Sequence, residues 1–250
     1  MYAIQIGVNL VIDVGNSSVK LAVFEKGKMA YQSVAYHENW FQKITGDFDK
    51  FAIENVIISR VRGLAENDLN SLKRMYRVLE VQHNMKLPFK NHYKTPKTLG
   101  ADRIALMSGA ALMFPGKAVL VIDAGSCITY DYKNENEDYF GGAISPGLQM
   151  RYKAVHHFTG KLPLLSPIIP ETQMGNSTEN AIHKGILAGL RYEIQGFIDE
   201  YLSENENLTI ILTGGDLDYL RNDIKNRIFA NPNFLLECLN GLLDYNLIND

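Results

Sequence analysis

Two cysteines among 250 residues, Cys127 and Cys238, are too few for a disulfide framework and read as reduced core thiols. No run of five basic residues occurs, and 25 Lys and Arg against 28 Asp and Glu leave a net charge of −3. The electrostatic footprint of a nucleic-acid binder is missing, so no nucleic-acid partner is expected. No apolar run reaches the roughly 18 residues of a membrane span, so no membrane partner is expected either. The opening residues, MYAIQIGVNLVID, carry no positive charge before Asp13, which makes a poor signal peptide and a better strand. A cytoplasmic location is the resulting expectation. The chain also lacks GxxxxGK[ST], which excludes the commonest phosphate loop.

What is present is a chain that can bury a core: 46% of it is hydrophobic. LVIDV, SVKLAVFE and KMAYQSVAY predict three strands, and Ile53–Ser59 a buried fourth. A helix over 65–76, a short strand over 78–81 and a helix that starts after Gly100 and runs to Met113 follow, before the breaker pair Pro115-Gly116. After it come strands over 118–124, 127–132 and 139–145, and a helix from Leu148. The proline-bearing stretch 162–170 reads as an ordered loop. A long helix is predicted over 178–202 with Ser177 or Thr178 as N-cap, then a strand over 208–213 and a helix over 235–243.

The restart is an internal repeat. LVIDVG at 10–15 and LVIDAG at 120–125 agree at five of six positions, 110 residues apart. That spacing is too long for a solenoid and predicts one α/β subdomain built twice, over 1–115 and 116–250, each a sheet with helices on its faces.

Each copy ends a buried strand in Asp-x-Gly. Glycine lets backbone amides approach a ligand and permits positive φ, and successive amides form an anion-binding nest. In the first copy Asn16, Ser17 and Ser18 add donors and Lys20 adds a point charge for phosphate. Asp13 repels a phosphate unless a cation lies between them, which argues for Mg²⁺ held by Asp13 directly or through water. The second copy offers Asp123, Gly125, Ser126 and Thr129. A lone Asp-x-Gly is an ordinary turn; two in register within a repeat point to phosphate.

Paired Asp-x-Gly loops on duplicated ribonuclease H-like subdomains resemble the superfamily of acetate and sugar kinases, actin and the chaperone ATPases. In that resemblance Gly214-Gly215 matches a glycine pair that contacts adenosine. GADRIALMSGA (100–110), GGAISPGLQMRYKAV (141–155) and GNSTENAIHKGILAG (175–189), with DVGNSSVK and DAGSCIT, are similar to type III pantothenate kinases. The resemblance spans residues 10 to about 216. It implies ATP-dependent phosphorylation of pantothenate to 4′-phosphopantothenate, with Asp13, Gly15, Asn16, Ser17, Ser18 and Lys20 on ATP phosphates and Ser126 as a second ATP contact. It places Gly100, Ala101, Asp102 and Arg103 at pantothenate, with Asp102 as proton acceptor. Asp123 matches the ligand of a monovalent cation, K⁺ or NH₄⁺. Thr178 matches a pantothenate contact supplied across a homodimer interface, and Tyr93 a tyrosine at the substrate pocket. The chain departs from the family pattern at Ser17, where Thr is usual, and at DAGSCIT, where Cys127 replaces a small residue.

The chemistry of the residues agrees. An attacking alcohol needs a carboxylate to take its proton, and the Arg103 fork suits a substrate carboxylate. Taken alone, Asp102 is also what a helix N-terminus favours. The rival readings are a non-catalytic ATP-binding regulator of the same fold, which has no need of Asp102, and a sugar or acetate kinase, for which 250 residues is short.

Overall fold

The computed structural model describes residues 7–169, 174–220 and 228–249. In chain order the elements are β1 (Val8–Val14), β2 (Val19–Glu25), β3 (Lys28–Ala35), α1 (Trp40–Asp47), β4 (Ile53–Arg60), α2 (Glu66–Met75), β5 (Arg77–Glu80) and β6 (Lys90–Asn91). Then come α3 (Ala101–Met113), β7 (Val119–Ala124), β8 (Cys127–Lys133), β9 (Asp138–Pro146), α4 (Leu148–His157), α5 (Thr178–Glu204), β10 (Thr209–Thr213), β11 (Ile228–Ala230) and α6 (Phe234–Asn249). Single 3₁₀ turns lie at Pro96–Thr98 and Leu217–Tyr219.

The chain separates into two compact units, one of residues 1–116, 135–140 and 233–250, the other of 117–134 and 141–232. This grouping departs from a linear division at 115/116 in two places, the short segment 135–140 and the C-terminal helix. Helix α6 is apolar almost all round, with Leu235, Leu236, Leu239, Leu242 and Leu243 buried. A helix of that composition needs cover on several sides, and it finds α3, β1 and β4 in the first unit.

In the first unit the strand order is β3-β2-β1-β4-β5. β1–β2 and β2–β3 are antiparallel, and β1–β4 and β4–β5 parallel. β1 and β4 are near-continuous β-branched runs because both faces of a central strand are covered. β3 alternates between exposed and covered positions, as an edge strand with one wet face does. Helix α1 has no counterpart among the predicted elements. Its signal is Trp40, Ile44 and Phe48 at helical spacing, all buried in the same apolar cluster as Leu10 and Ile12. Also in this unit, β6 pairs in parallel with the first residues of β9, through Lys90↔Asp138 and Asn91↔Tyr139.

In the second unit the order is β9-β8-β7-β10-β11, with β7–β8 antiparallel and β7–β10 and β10–β11 parallel. The two LVID segments thus occupy the same place, the middle strand between an antiparallel hairpin partner and a parallel neighbour. Helix α5 lays Ile182, Ile186, Leu190, Ile194 and Ile198 against this sheet, one residue per turn. Its N-cap is Ser177, whose hydroxyl accepts from Asn180 N–H at 3.2 Å. Strand β11 is three residues long, too short to carry a pattern of its own. Pro170, the end of the expected loop, lies outside the described residues.

Candidate active site

The first unit brings most of the expected residues together. Asp13 ends β1 and is buried. It is paired with Lys20 across the antiparallel ladder and with Ser59 on the parallel side. Burial pushes its carboxyl up to about 6; Lys20 pulls it down, neighbouring Asp102 pushes it up and Ser59 lowers it. Lys20 therefore spends part of its charge on Asp13. The Ser59 hydroxyl is buried beside the Asp13 carboxylate, whose ionised form it favours. Two carboxylates near enough to repel, with a hydroxyl beside one of them, make an oxygen donor set that suits a hard cation.

The turn after Asp13 closes through Gly15 N–H on Ser18 O at 3.0 Å. The corresponding turn after Asp123 closes through Gly125 N–H on Cys127 O at 3.0 Å. Neither glycine has positive φ. Both amides are used inside their turns. Asn16 and Ser17 are exposed and Ser18 is half-buried at the turn.

Asp102 lies in the first turn of α3, where its Oδ1 accepts from Arg103 N–H at 2.8 Å. The carboxylate folds back over Gly100 so closely that a Cβ there would collide with it. A side chain at position 100 would therefore displace the Asp102 carboxylate. Burial raises the Asp102 carboxyl above its ordinary value, while the Arg103 N–H and guanidinium oppose the rise. Ala101 and Arg103 are buried. The Arg103 guanidinium lies 5.6 Å from the centre of the Tyr93 ring, and Tyr93 stacks on Tyr139 at 6.3 Å. Tyr93 therefore belongs with the Gly-Ala-Asp-Arg segment. A cleft of about 470 Å³ borders Gly100 and Ala101, with Arg60, His83 and Lys97 in its lining.

In the second unit Asp123 ends β7, opposite Thr129 on β8 and Thr213 on β10. The Thr129 hydroxyl is buried with no hydrogen-bond partner among the described residues. A carboxylate beside a buried hydroxyl repeats the pairing of Asp13 with Ser59, and suits a cation held by oxygens. The loop that follows, with Ser126 exposed, is braced from two sides. Gly147 N–H donates to Ser126 O at 3.2 Å, and a Cβ at Gly147 would strike Gly125 and Ser126. Gly214 has φ +103° and packs on Ala124 with no room for a side chain. Gly215 faces open space. The Asp216 carboxyl is raised by burial and steadied by Leu148 N–H, which ties this turn to the start of α4. Thr178 is exposed at the first residue of α5.

Ser59 is the site residue that local sequence reasoning missed. Its only signal is a lone hydroxyl at the end of an apolar strand, shared with Thr213 in β10. Among the described residues no group of three or more His, Cys, Asp and Glu side chains could cage a metal. A Mg²⁺ ion held by one or two carboxylates together with phosphates needs no such cage. No helix among them is long and apolar enough to cross a membrane.

Comparison with known proteins agrees with this geometry. A type III pantothenate kinase from Christiangramia forsetii is 49% identical over 239 residues, covering 95% of this chain and 98% of its own. Among solved structures, a protein described as a Baf family transcriptional activator from Campylobacter jejuni superposes with a TM-score of 0.63 at 20% identity, over 96% of this chain and 99% of that one. A ROK family glucokinase from Streptomyces griseus, solved with glucose and AMPPNP, gives a TM-score of 0.52 at 11% identity over 97% and 100% of the two chains. Both structural likenesses bear on the fold, that of actin-like ATPases and sugar kinases. The sequence model of the type III pantothenate kinase family matches residues 9–200, and the chain belongs to that family.

Proposed function

We propose that this chain transfers the γ-phosphate of ATP to the primary hydroxyl of pantothenate, giving 4′-phosphopantothenate at the first step of coenzyme A synthesis. The observation that carries this reading is Asp102: a half-buried carboxylate with a raised pKa, held over Gly100 and next to Asp13. A regulator that only senses ATP has no use for a second carboxylate there.

Phosphoryl transfer asks the protein chiefly to position groups and offset charge. Asn16, Ser17, Ser18 and Lys20 donate to ATP phosphates, Ser126 makes a second ATP contact, and Gly214 and Gly215 border the adenosine. Arg103 holds the pantothenate carboxylate, with Gly100, Ala101 and Tyr93 beside it. The hydroxyl oxygen bonds to the γ-phosphorus as the bond to the bridging oxygen breaks. The hydroxyl proton passes to Asp102, and ADP leaves. Raising the Asp102 pKa toward the working pH makes it a stronger base. Mg²⁺ at Asp13 and K⁺ or NH₄⁺ at Asp123 and Thr129 would supply neutralisation of phosphate charge. Thr178, exposed as a residue serving a second copy would be, reaches pantothenate in a homodimer. Phe158, Met174 and Tyr192, large, apolar and well exposed on or beside α4 and α5, support that assembly. The enzyme works in the cytoplasm.

ADP release by the purified chain, with ATP, Mg²⁺ and K⁺, tests the reading. Release should require pantothenate and weaken when Na⁺ replaces K⁺. Chain that binds ATP yet shows no pantothenate-dependent release would favour the regulator.

A further inference from the structure

Glu193, in the middle of α5, receives donors from three other elements of the second unit. Its Oε1 accepts from the Tyr130 hydroxyl on β8 at 2.9 Å and, in a short hydrogen bond, from the Ser145 hydroxyl on β9. Its Oε2 accepts from Arg151 Nη2 on α4 at 2.6 Å. Burial opposes its ionisation, but the donors from Ser145, Arg151 and Tyr130 outweigh burial and hold the carboxyl below its ordinary value. A charge this well partnered between four elements is a fixed point.

Arg151 carries that point toward the second phosphate loop. Its Nε donates to Pro146 O at 2.8 Å, and its Nη2 also lies 3.4 Å from the Ser145 hydroxyl. The next residue is Gly147, whose N–H holds Ser126 O and whose missing Cβ lets the backbone lie on Gly125. Leu148 N–H then holds the Asp216 carboxylate, beside Gly214 and Gly215. A planar guanidinium can hold a carboxylate and a backbone carbonyl together; an ammonium cannot reproduce that fork. A bracket of this kind exceeds what joining two helices requires, because its second end grips the strap 145–147 and not another helix.

We propose that Arg151 and Glu193 are positioning residues for the nucleotide and monovalent cation, acting through Ser145–Gly147 on the loop Asp123–Ser126. The inference rests on the kinase reading for the ligands of that loop. Partners that orient a binding shell typically change affinity by about tenfold or more when removed.

The test compares Arg151→Gln, Glu193→Gln and Ile198→Val with the unaltered chain. Ile198→Val trims a buried core residue of α5 away from the bracket. Titration with Mg-ATP, followed by calorimetry in K⁺, gives the dissociation constant without turnover. Thermal melts against K⁺ concentration give the cation response. Both bracket variants should weaken ATP about tenfold and shift the K⁺ response to higher concentration, with KM for pantothenate within twofold. Ile198→Val should lower Tm alone. If Arg151→Gln does not fold, Arg151→Lys, which keeps the charge and loses the fork, is read in the same way. ATP affinity and K⁺ response unchanged in a folded bracket variant would overturn the proposal. Absence of pantothenate turnover in the unaltered chain would instead strike the kinase reading, since the ATP titration needs no turnover.

Discussion

Asp13 is the residue on which pH should act most visibly. An aspartate in an unfolded chain titrates at about 3.9, and burial lifts this one to about 6. Between those values the native state keeps a proton that the unfolded chain has lost, so stability falls as pH rises from about 4 to 6 and then levels. The penalty at neutral pH is at most about 3 kcal/mol. Asp13→Asn should therefore melt no lower than the unaltered chain at pH 7.5 without ligand, and should lose the added stability that Mg-ATP confers. A lower ligand-free Tm with Mg-ATP stabilisation intact would contradict this role. Asp13, Lys20 and the serines between them were legible in the sequence because they sit within one turn. Ser59 was not, because it becomes a neighbour only when β1 pairs with β4.

At the scale of elements, the head of α3 carries Asp102 and its middle is set by α6. A side chain at Gly109 would drive into Cys238, including its backbone. Helices that approach so closely cannot yield without shifting, and overpacking of this kind costs about 1–3 kcal/mol. Gly109→Ala should lower stability by that amount in denaturant melts, and lower kcat with it as the N-terminus of α3 moves; an unchanged melt would show that α3 and α6 are free to separate. The α6 helix itself was visible in its leucines, though over 235–243 where the structure has Phe234–Asn249. Its return to the first unit was not visible, because nothing local in an apolar helix says which sheet it will cover. Helix α1 escaped for the opposite reason: its buried residues, Trp40 and Ile44, are few and lie in a polar stretch.

Over the whole molecule, the duplication is the feature that sequence reported best. Five matching residues in LVIDVG and LVIDAG located both middle strands, and the strand orders on either side of them agree. The phosphate loops follow from that repeat; the acceptor residues do not, since Gly100–Arg103 has no second copy. On the proposed function, nucleotide binding falls to the repeated part and chemistry to the unrepeated one. Steady-state turnover of Asp102→Asn, beside its Mg-ATP dissociation constant, separates the two. Pantothenate-dependent turnover should fall by roughly 10²- to 10⁴-fold, the usual worth of a general base, with ATP affinity within twofold. Near-normal turnover in Asp102→Asn, with ATP still bound, would contradict that role.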